Sequence, residues 1–325
     1  MTAYHGPGQG RPTPRRRDLR PGALLVLALA VLLAACGQEP PPEGAPSAEA
    51  TEGVPDPLAV GLIPNVAPDE QRARYRPLEE YLEGALGVEV ELFVASDYAG
   101  VVAAMAADRL DLAYLGGVTY VQAEQQVDVT PLVTEVDRET GAREYVSVIV
   151  VRDDAPFTGL DDVLAAGGRF AMGDVASTSG SLYPRIMLID AGARCDARRL
   201  TVCPPLASVD FTGGHDAAAQ AVLAGHADAA GVERRILNRL VRDGAVPEGA
   251  LRVVAEHPVM GYPWVARTAL GRAAHEAITD AFLAIDDPAL LDLLRAGSYE
   301  TVTAADYDEI RRRTAELGLL ERADR

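Results

Sequence analysis

Three short stretches place polar side chains where they could grip an anion. Ser177-Thr178-Ser179-Gly180 stands between the apolar run Arg169–Met172 and a helical pattern that continues through Leu188. The first amides of a helix lack partners inside it, and the helix dipole adds partial positive charge there. Hydroxyls beside such amides can cradle an oxyanion. Equally, one serine can cap the helix while the others meet solvent. His215, in Gly213-Gly214-His215-Asp216, opens the next helical pattern. Its imidazole could donate to an oxyanion, with Asp216 orienting the ring or capping the helix; it could also be a turn residue. Tyr98, after Asp97, occupies another strand-to-helix junction, and Tyr145 opens an apolar run where packing is its default role. Ser177 or Ser179 with His215 and Asp216 also has the residue types of a serine hydrolase. However, Asp216 adjoins His215 and is poorly placed to turn that ring toward a serine, and no G-x-S-x-G elbow is present. Neither CxxC spacing nor clustered histidines suggest a metal, and no motif calls for a cofactor.

The elements that must position these residues alternate between short apolar strands and amphipathic helices, the pattern of an α/β fold with mostly parallel sheets. Strands are expected at 58–63, 88–94, 112–115, 128–134, 169–172, 209–212, 227–232 and 251–255. Helices are expected at 69–86, 98–107, 119–126, 160–166, 216–224, 273–285, 288–295 and 304–317. The β-branched run at 145–152 suits a central strand or a crossing between domains, and 263–266 reads as a second crossing. There is no internal repeat.

The amino-terminal part has a different character. Five arginines lead into a 13-residue apolar run at 23–35, which ends in Leu33-Ala34-Ala35-Cys36-Gly37. That run suits the core of a signal peptide better than a membrane span. Small residues before Cys36 resemble a bacterial lipobox, which implies cleavage before Cys36 and lipidation of its sulfur. Residues 36–57 are rich in Pro, Glu, Ala and Gly and read as a disordered tether. All 30 basic residues are arginine, and the chain carries −18; removing residues 1–35 would leave −22. Such a chain is a poor partner for nucleic acid. An anionic ligand would need a local site, because the global field repels it. With Cys36 lipidated, Cys195 and Cys203 remain, eight apart, as a disulfide or as two buried thiols.

Taken together, the motifs resemble the phosphonate/phosphite/phosphate-binding proteins of bacterial ABC importers. The resemblance runs from about Leu58 to at least Ala266. It rests on Asp97-Tyr98-Ala99-Gly100, Asp111-Leu112-Ala113-Tyr114 with Gly116, and Tyr145-Val146-Ser147-Val148. The most specific parts are Ser177-Thr178-Ser179-Gly180 with Pro184, and Gly214-His215-Asp216 with Ala221-Val222 and Asp228. The resemblance implies a type II periplasmic-binding-protein fold, with two α/β lobes joined by two crossing segments: 58–148 with 260–325, and 149–259. It implies a lipid-anchored, extracytoplasmic protein that captures a small phosphorus oxyanion by closure and passes it to a permease and its ATPase. A ligand sensor for a signalling receptor is the alternative. Tyr98, Tyr145, Ser177, Thr178, Ser179 and His215 would hold the ligand, with His215 neutral or charged. In relatives that take 2-aminoethylphosphonate, carboxylates surround the ammonium, one of them before a proline at the second crossing. Here Tyr262 stands before Pro263, in place of the acid, and Glu233 could supply a carboxylate. The expectation is therefore a small oxyanion rather than an aminophosphonate.

Overall fold

The computed structural model describes residues 51–320. The signal-peptide segment, Cys36 and the tether up to residue 50 lie outside the described residues. In chain order, β1 (Leu58–Leu62), α1 (Pro68–Leu86), β2 (Val90–Val94), α2 (Tyr98–Ala106), β3 (Leu112–Tyr114), α3 (Gly117–Ala123) and β4 (Val129–Asp137) begin the first lobe. The second lobe holds β5 (Glu144–Arg152), α4 (Leu160–Ala165), β6 (Arg169–Met172), α5 (Tyr183–Asp190), β7 (Ser208–Phe211), α6 (His215–Leu223), β8 (Ala229–Glu233), α7 (Arg234–Arg242) and β9 (Leu251–Met260). The chain then returns through β10 (Pro263–Arg267), α8 (Gly271–Leu283), α9 (Pro288–Leu293), β11 (Ala296–Thr301) and α10 (Asp308–Glu316).

The first sheet has the order β11-β4-β10-β3-β1-β2 and the second β7-β6-β8-β5-β9. Strand β1 is parallel to β2 and β3, and β6 is parallel to β7 and β8, whereas β10, β11 and β5 run antiparallel to their neighbours. This is the two-lobed α/β architecture expected from the sequence, but both sheets are mixed rather than mostly parallel.

Local chemistry explains the elements. Helix α1 starts with Pro68 and two acids in its first turn, and ends at Gly87, whose φ of 69° is a left-handed cap. Its buried Tyr75, Leu78, Leu82 and Leu86 share one face and close over the first sheet. Strand β5 is covered on both faces. Val148 and Val150 join one apolar cluster, and Ile149 and Val151 the other, which is why its sequence is a continuous β-branched run.

One open reading is resolved and three expectations shift. The run at 145–152, offered as central strand or crossing, is the strand β5 inside the second sheet. Residues 263–266, read as a crossing, are β10, paired with β3 and β4. The crossings are therefore 138–143 and 261–262, so the first change of lobe comes before residue 148. The folded part also begins before Leu58. Thr51 N–H donates to Leu86 O (3.0 Å), Glu89 N–H to Asp56 Oδ1 (3.0 Å), and Val54 is buried in the first core. Finally, α7 and β11 are elements that the sequence pattern did not announce.

The two crossings are bonded to each other. Gly261 N–H donates to Arg143 O (2.8 Å), and Thr134 Oγ1, on β4, holds the second crossing by donating to Tyr262 O (2.9 Å). A Cβ on Gly261 would lie 2.4 Å from Thr134 Oγ1 and 2.6 Å from Arg143 O, so only glycine lets the strands approach this closely. Cys195 and Cys203, between α5 and β7, are joined by a disulfide.

Candidate functional site

In both lobes the candidate residues sit at the carboxyl ends of parallel strands, where open α/β sheets place their ligands. In the first lobe these are Asn65 after β1, Tyr98 after β2 and Gly116 after β3. In the second they are Ser177–Ser179 after β6, His215 after β7 and Glu233 at the end of β8. Tyr145 lies on β5 and Tyr262 on the second crossing. All of the side chains are buried.

The serine-rich turn combines both of its sequence readings. Ser177 caps the turn, with its Oγ accepting from Gly180 N–H (3.0 Å). Thr178–Leu182 form a single π turn, a widening that often marks a functional site. Thr178 Oγ1 accepts from Val118 N–H (2.9 Å) in the opposite lobe. Ser179 Oγ has no hydrogen-bond partner in the protein, although Ser147 Oγ fixes the backbone by donating to Ser179 O (2.8 Å).

His215 is held from three sides. Its main-chain N–H donates to Asn65 O across the cleft (3.1 Å), and its Nδ1 accepts from Glu233 N–H (3.3 Å). An Nδ1 that accepts must be unprotonated, so the neutral ring carries its proton on Nε2. That atom has no protein partner. Burial pushes the imidazole pKa down to about 4; Glu233 and Asp216 favour the charged ring, while Arg295 and Arg239 oppose it. A charged His215 is thereby replaced by a neutral donor. Asp216 neither orients this ring nor completes a triad. Its Oδ2 accepts from Ala67 N–H in the first lobe (3.3 Å).

Tyr98 and Tyr145 differ. Tyr98 Oη donates to Asn65 Oδ1 (2.8 Å), and the Ser177 hydroxyl lies beside it. Tyr145 Oη is buried without a well-aligned partner and lies near the hydroxyls of Ser179 and Tyr262. Four donors, Tyr145 Oη, Ser179 Oγ, His215 Nε2 and Asn65 Nδ2, thus have no well-aligned hydrogen bond in the protein. The His215 ring also packs on Gly180, beside Ser179; a Cβ at Gly180 would meet its Cε1 at 2.9 Å.

Glu233 has a different fate. Tyr262 Oη donates to its Oε2 (2.8 Å), Arg235 Nε donates to its Oε1 (2.6 Å), and Arg295 Nε lies 3.8 Å away. Burial works to raise its carboxyl pKa, but Arg235 and Arg295 outweigh burial and hold it at about 2. Arg235 also donates to Glu135 across the lobes (3.0 Å) and stacks over the Tyr145 ring at 4.7 Å. The lobes are pinned together by further bonds, from Tyr98 N–H to Asp174 Oδ2 (3.4 Å) and from Thr119 Oγ1 to Ala176 O (3.1 Å). Asn65, Glu135, Arg235 and Arg295 escaped the sequence reading. Only Asn65 carried a signal, because it follows an apolar strand and precedes Pro68, the junction type that flagged Tyr98.

The His215 geometry has a consequence for pH. Its folded pKa of about 4 lies below the unfolded value of about 6.5, so on acidification the unfolded chain takes the proton first. The stability due to the neutral ring is full above about pH 6.5 and is lost progressively toward pH 4, by roughly 3 kcal/mol at most. Urea unfolding between those pH values should show this slope, and His215→Gln should flatten it. An unaltered slope in the variant would assign it to other groups.

Residues 60–309 match the protein family described as "ABC transporter, phosphonate, periplasmic substrate-binding protein". The chain is 31% identical over 300 residues to the phosphate-import protein PhnD of Mycolicibacterium smegmatis, covering 87% of this chain and 91% of that protein. It is 27% identical over 231 residues to the phosphonates-binding periplasmic protein of Escherichia coli, covering 70% of this chain and 65% of that one. In fold it is similar to PhnD1 of Prochlorococcus marinus in complex with methylphosphonate, with a TM-score of 0.70 at 23% identity, over 80% of this chain and 97% of that one.

Proposed function

Because the chain belongs to the phosphonate family of periplasmic substrate-binding proteins of ABC transporters, we propose that its ligand is a small phosphorus oxyanion: phosphate, phosphite or methylphosphonate. As a substrate-binding component it works outside the cytoplasm, serves a permease and its ATPase, and catalyses no reaction. The finer reading is carried by the four buried donors without a well-aligned protein partner, Tyr145 Oη, Ser179 Oγ, His215 Nε2 and Asn65 Nδ2. All are neutral, and none is a carboxylate that could balance the charge of an ammonium group. The carboxylate beside them, Glu233, is already engaged by Arg235 and Tyr262, which argues against an aminophosphonate. The likeness to a phosphate-import protein is in keeping with this.

Capture proceeds through closure. Bonds across the cleft, such as His215 N–H to Asn65 O and Val118 N–H to Thr178 Oγ1, favour the shut form. An anion that adds contacts only there shifts the population toward it. Each hydrogen bond to a charged ligand is worth about 1.5–3 kcal/mol. His215→Ala should therefore weaken calorimetric binding of methylphosphonate about tenfold or more. Unchanged affinity would place the ligand elsewhere. We also read Cys36 as lipidated, on the strength of its lipobox-like context. Cys36→Ser should then move the protein from the membrane to the soluble fraction, and an unchanged partition would overturn that reading.

A further inference from the structure

Helix α7 turns one face toward the first lobe. Arg235, Asn238, Arg239 and Arg242, spaced i, i+3, i+4 and i+7, line a crevice of about 100 Å³ together with Arg295, just before β11. Arg235, Arg239 and Arg295 are 8%, 3% and 7% exposed. Their guanidinium groups are not equally served. Arg235 binds Glu233 and Glu135 and has Asp137 at 3.7 Å. Arg295 donates to Tyr114 Oη (3.0 Å) and stands 3.8 Å from Glu233, with Nε and Nη1 left over. Arg239 has none of its three nitrogens hydrogen-bonded and forms no ion pair among the described residues. Three acids also line the crevice, each engaged elsewhere: Asp292 by Arg138 at 3.0 Å, with Arg242 at 3.7 Å, Asp137 by Arg235, and Glu139, whose Oε1 accepts from Asn238 Nδ2 (3.3 Å). Among the described residues, Arg295 is also one of two non-glycine residues with a left-handed backbone, at φ 62°. Such strain is held only where the surroundings demand it.

A buried guanidinium with no counter-charge is expensive, and its fork geometry suits a compact anion. Burial and the neighbouring Arg295 and Arg74 depress the Arg239 pKa, which falls to about 10, so it remains charged at neutral pH. We propose that this crevice is a second anion site, separate from the His215 cleft. There Arg239, with Arg295 and Arg235, binds a halide or a small inorganic oxyanion. Arg239 belongs to the second lobe and Arg295 to the first, so an anion held between them ties the lobes together at the crossing side. It thereby favours closure without touching the transported ligand.

Diffraction and solution stability test this together. Crystals soaked in sodium bromide should give an anomalous peak within hydrogen-bond distance of the Arg239 guanidinium. That peak should vanish in Arg239→Met, while any bromide near His215 persists. In solution, chloride at constant ionic strength should raise the Tm of the wild-type chain by a few degrees and leave that of Arg239→Met unmoved. Sodium sulfate, with the His215 cleft disabled by His215→Ala, tells an oxyanion site from a halide site. No peak at Arg239, or an equal anion response in Arg239→Met, would overturn the proposal. Arg239→Lys, which keeps the charge but loses the fork, guards against a purely structural loss and should retain part of the response.

Discussion

Gly180→Ala is expected to leave a folded protein whose affinity for its ligand falls about a hundredfold, the loss of one or two charge-assisted hydrogen bonds. The new Cβ would sit 2.9 Å from His215 Cε1, 2.9 Å from Ser177 Oγ and 3.3 Å from Gly173 Cα. None of these atoms can retreat freely. The His215 ring is tied by Glu233 N–H at its Nδ1, Ser177 Oγ is held by the Gly180 amide, and Gly173 N–H donates to Gly180 O (2.9 Å). The turn must shift instead, taking Ser179 Oγ and His215 Nε2 out of register. Overpacking of this kind costs about 1–3 kcal/mol of stability, which a domain of this size survives. Gly84→Ala is the control: nothing lies within 4 Å of its Cβ, and it sits in α1. It should leave binding unchanged and raise stability slightly. Equal binding by Gly180→Ala and the wild type would mean that this turn does not line the ligand site.

Arg235→Met should lower stability by about 3–5 kcal/mol, the usual cost of leaving buried charges unpaired. The residue belongs to α7 in the second lobe, yet it donates to Glu135 on β4 in the first lobe as well as to Glu233 beside the cleft. Without it, burial would push the Glu135 carboxyl further up, while Glu233 would keep Arg295 and Tyr262. Burial already pushes the Glu135 pKa upward despite Arg235 and Arg295. Removing Glu135 as well, in Arg235→Met/Glu135→Gln, should recover part of the loss, because the two residues form one network. The same substitution frees Glu233, so aminoethylphosphonate should gain affinity relative to methylphosphonate. Urea unfolding and calorimetry read the two effects separately. A loss under about 1 kcal/mol, with additive single and double variants, would show that the network is not the brace described here.

The cleft was legible where chemistry and local structure coincide. Ser177, Ser179 and His215 announce themselves because hydroxyls and imidazole stand at strand-to-helix junctions, where helix amides are free. What each residue does there was not legible. Thr178 bonds Val118 and Tyr98 bonds Asn65, so side chains expected on the ligand also connect the protein to itself. These partners lie 60 and 33 residues away, and no local pattern reveals them. Helix α7 was missed because Arg235 and Arg239 occupy its buried face, where apolar residues are the usual signal. For the same reason the ion network around Glu233, which decides how that carboxylate behaves, was invisible. The strand β5 could not be told from a crossing, because its pairing with β8 and β9 spans about a hundred residues.

The central claim is that neutral donors, beside an already neutralised Glu233, select a small phosphorus oxyanion. Titration calorimetry of the soluble domain with methylphosphonate, phosphate and aminoethylphosphonate, at one pH and salt concentration, tests it most directly. The account predicts that methylphosphonate or phosphate binds at least about tenfold tighter than aminoethylphosphonate. Aminoethylphosphonate binding as tightly as either, or tighter, would contradict it.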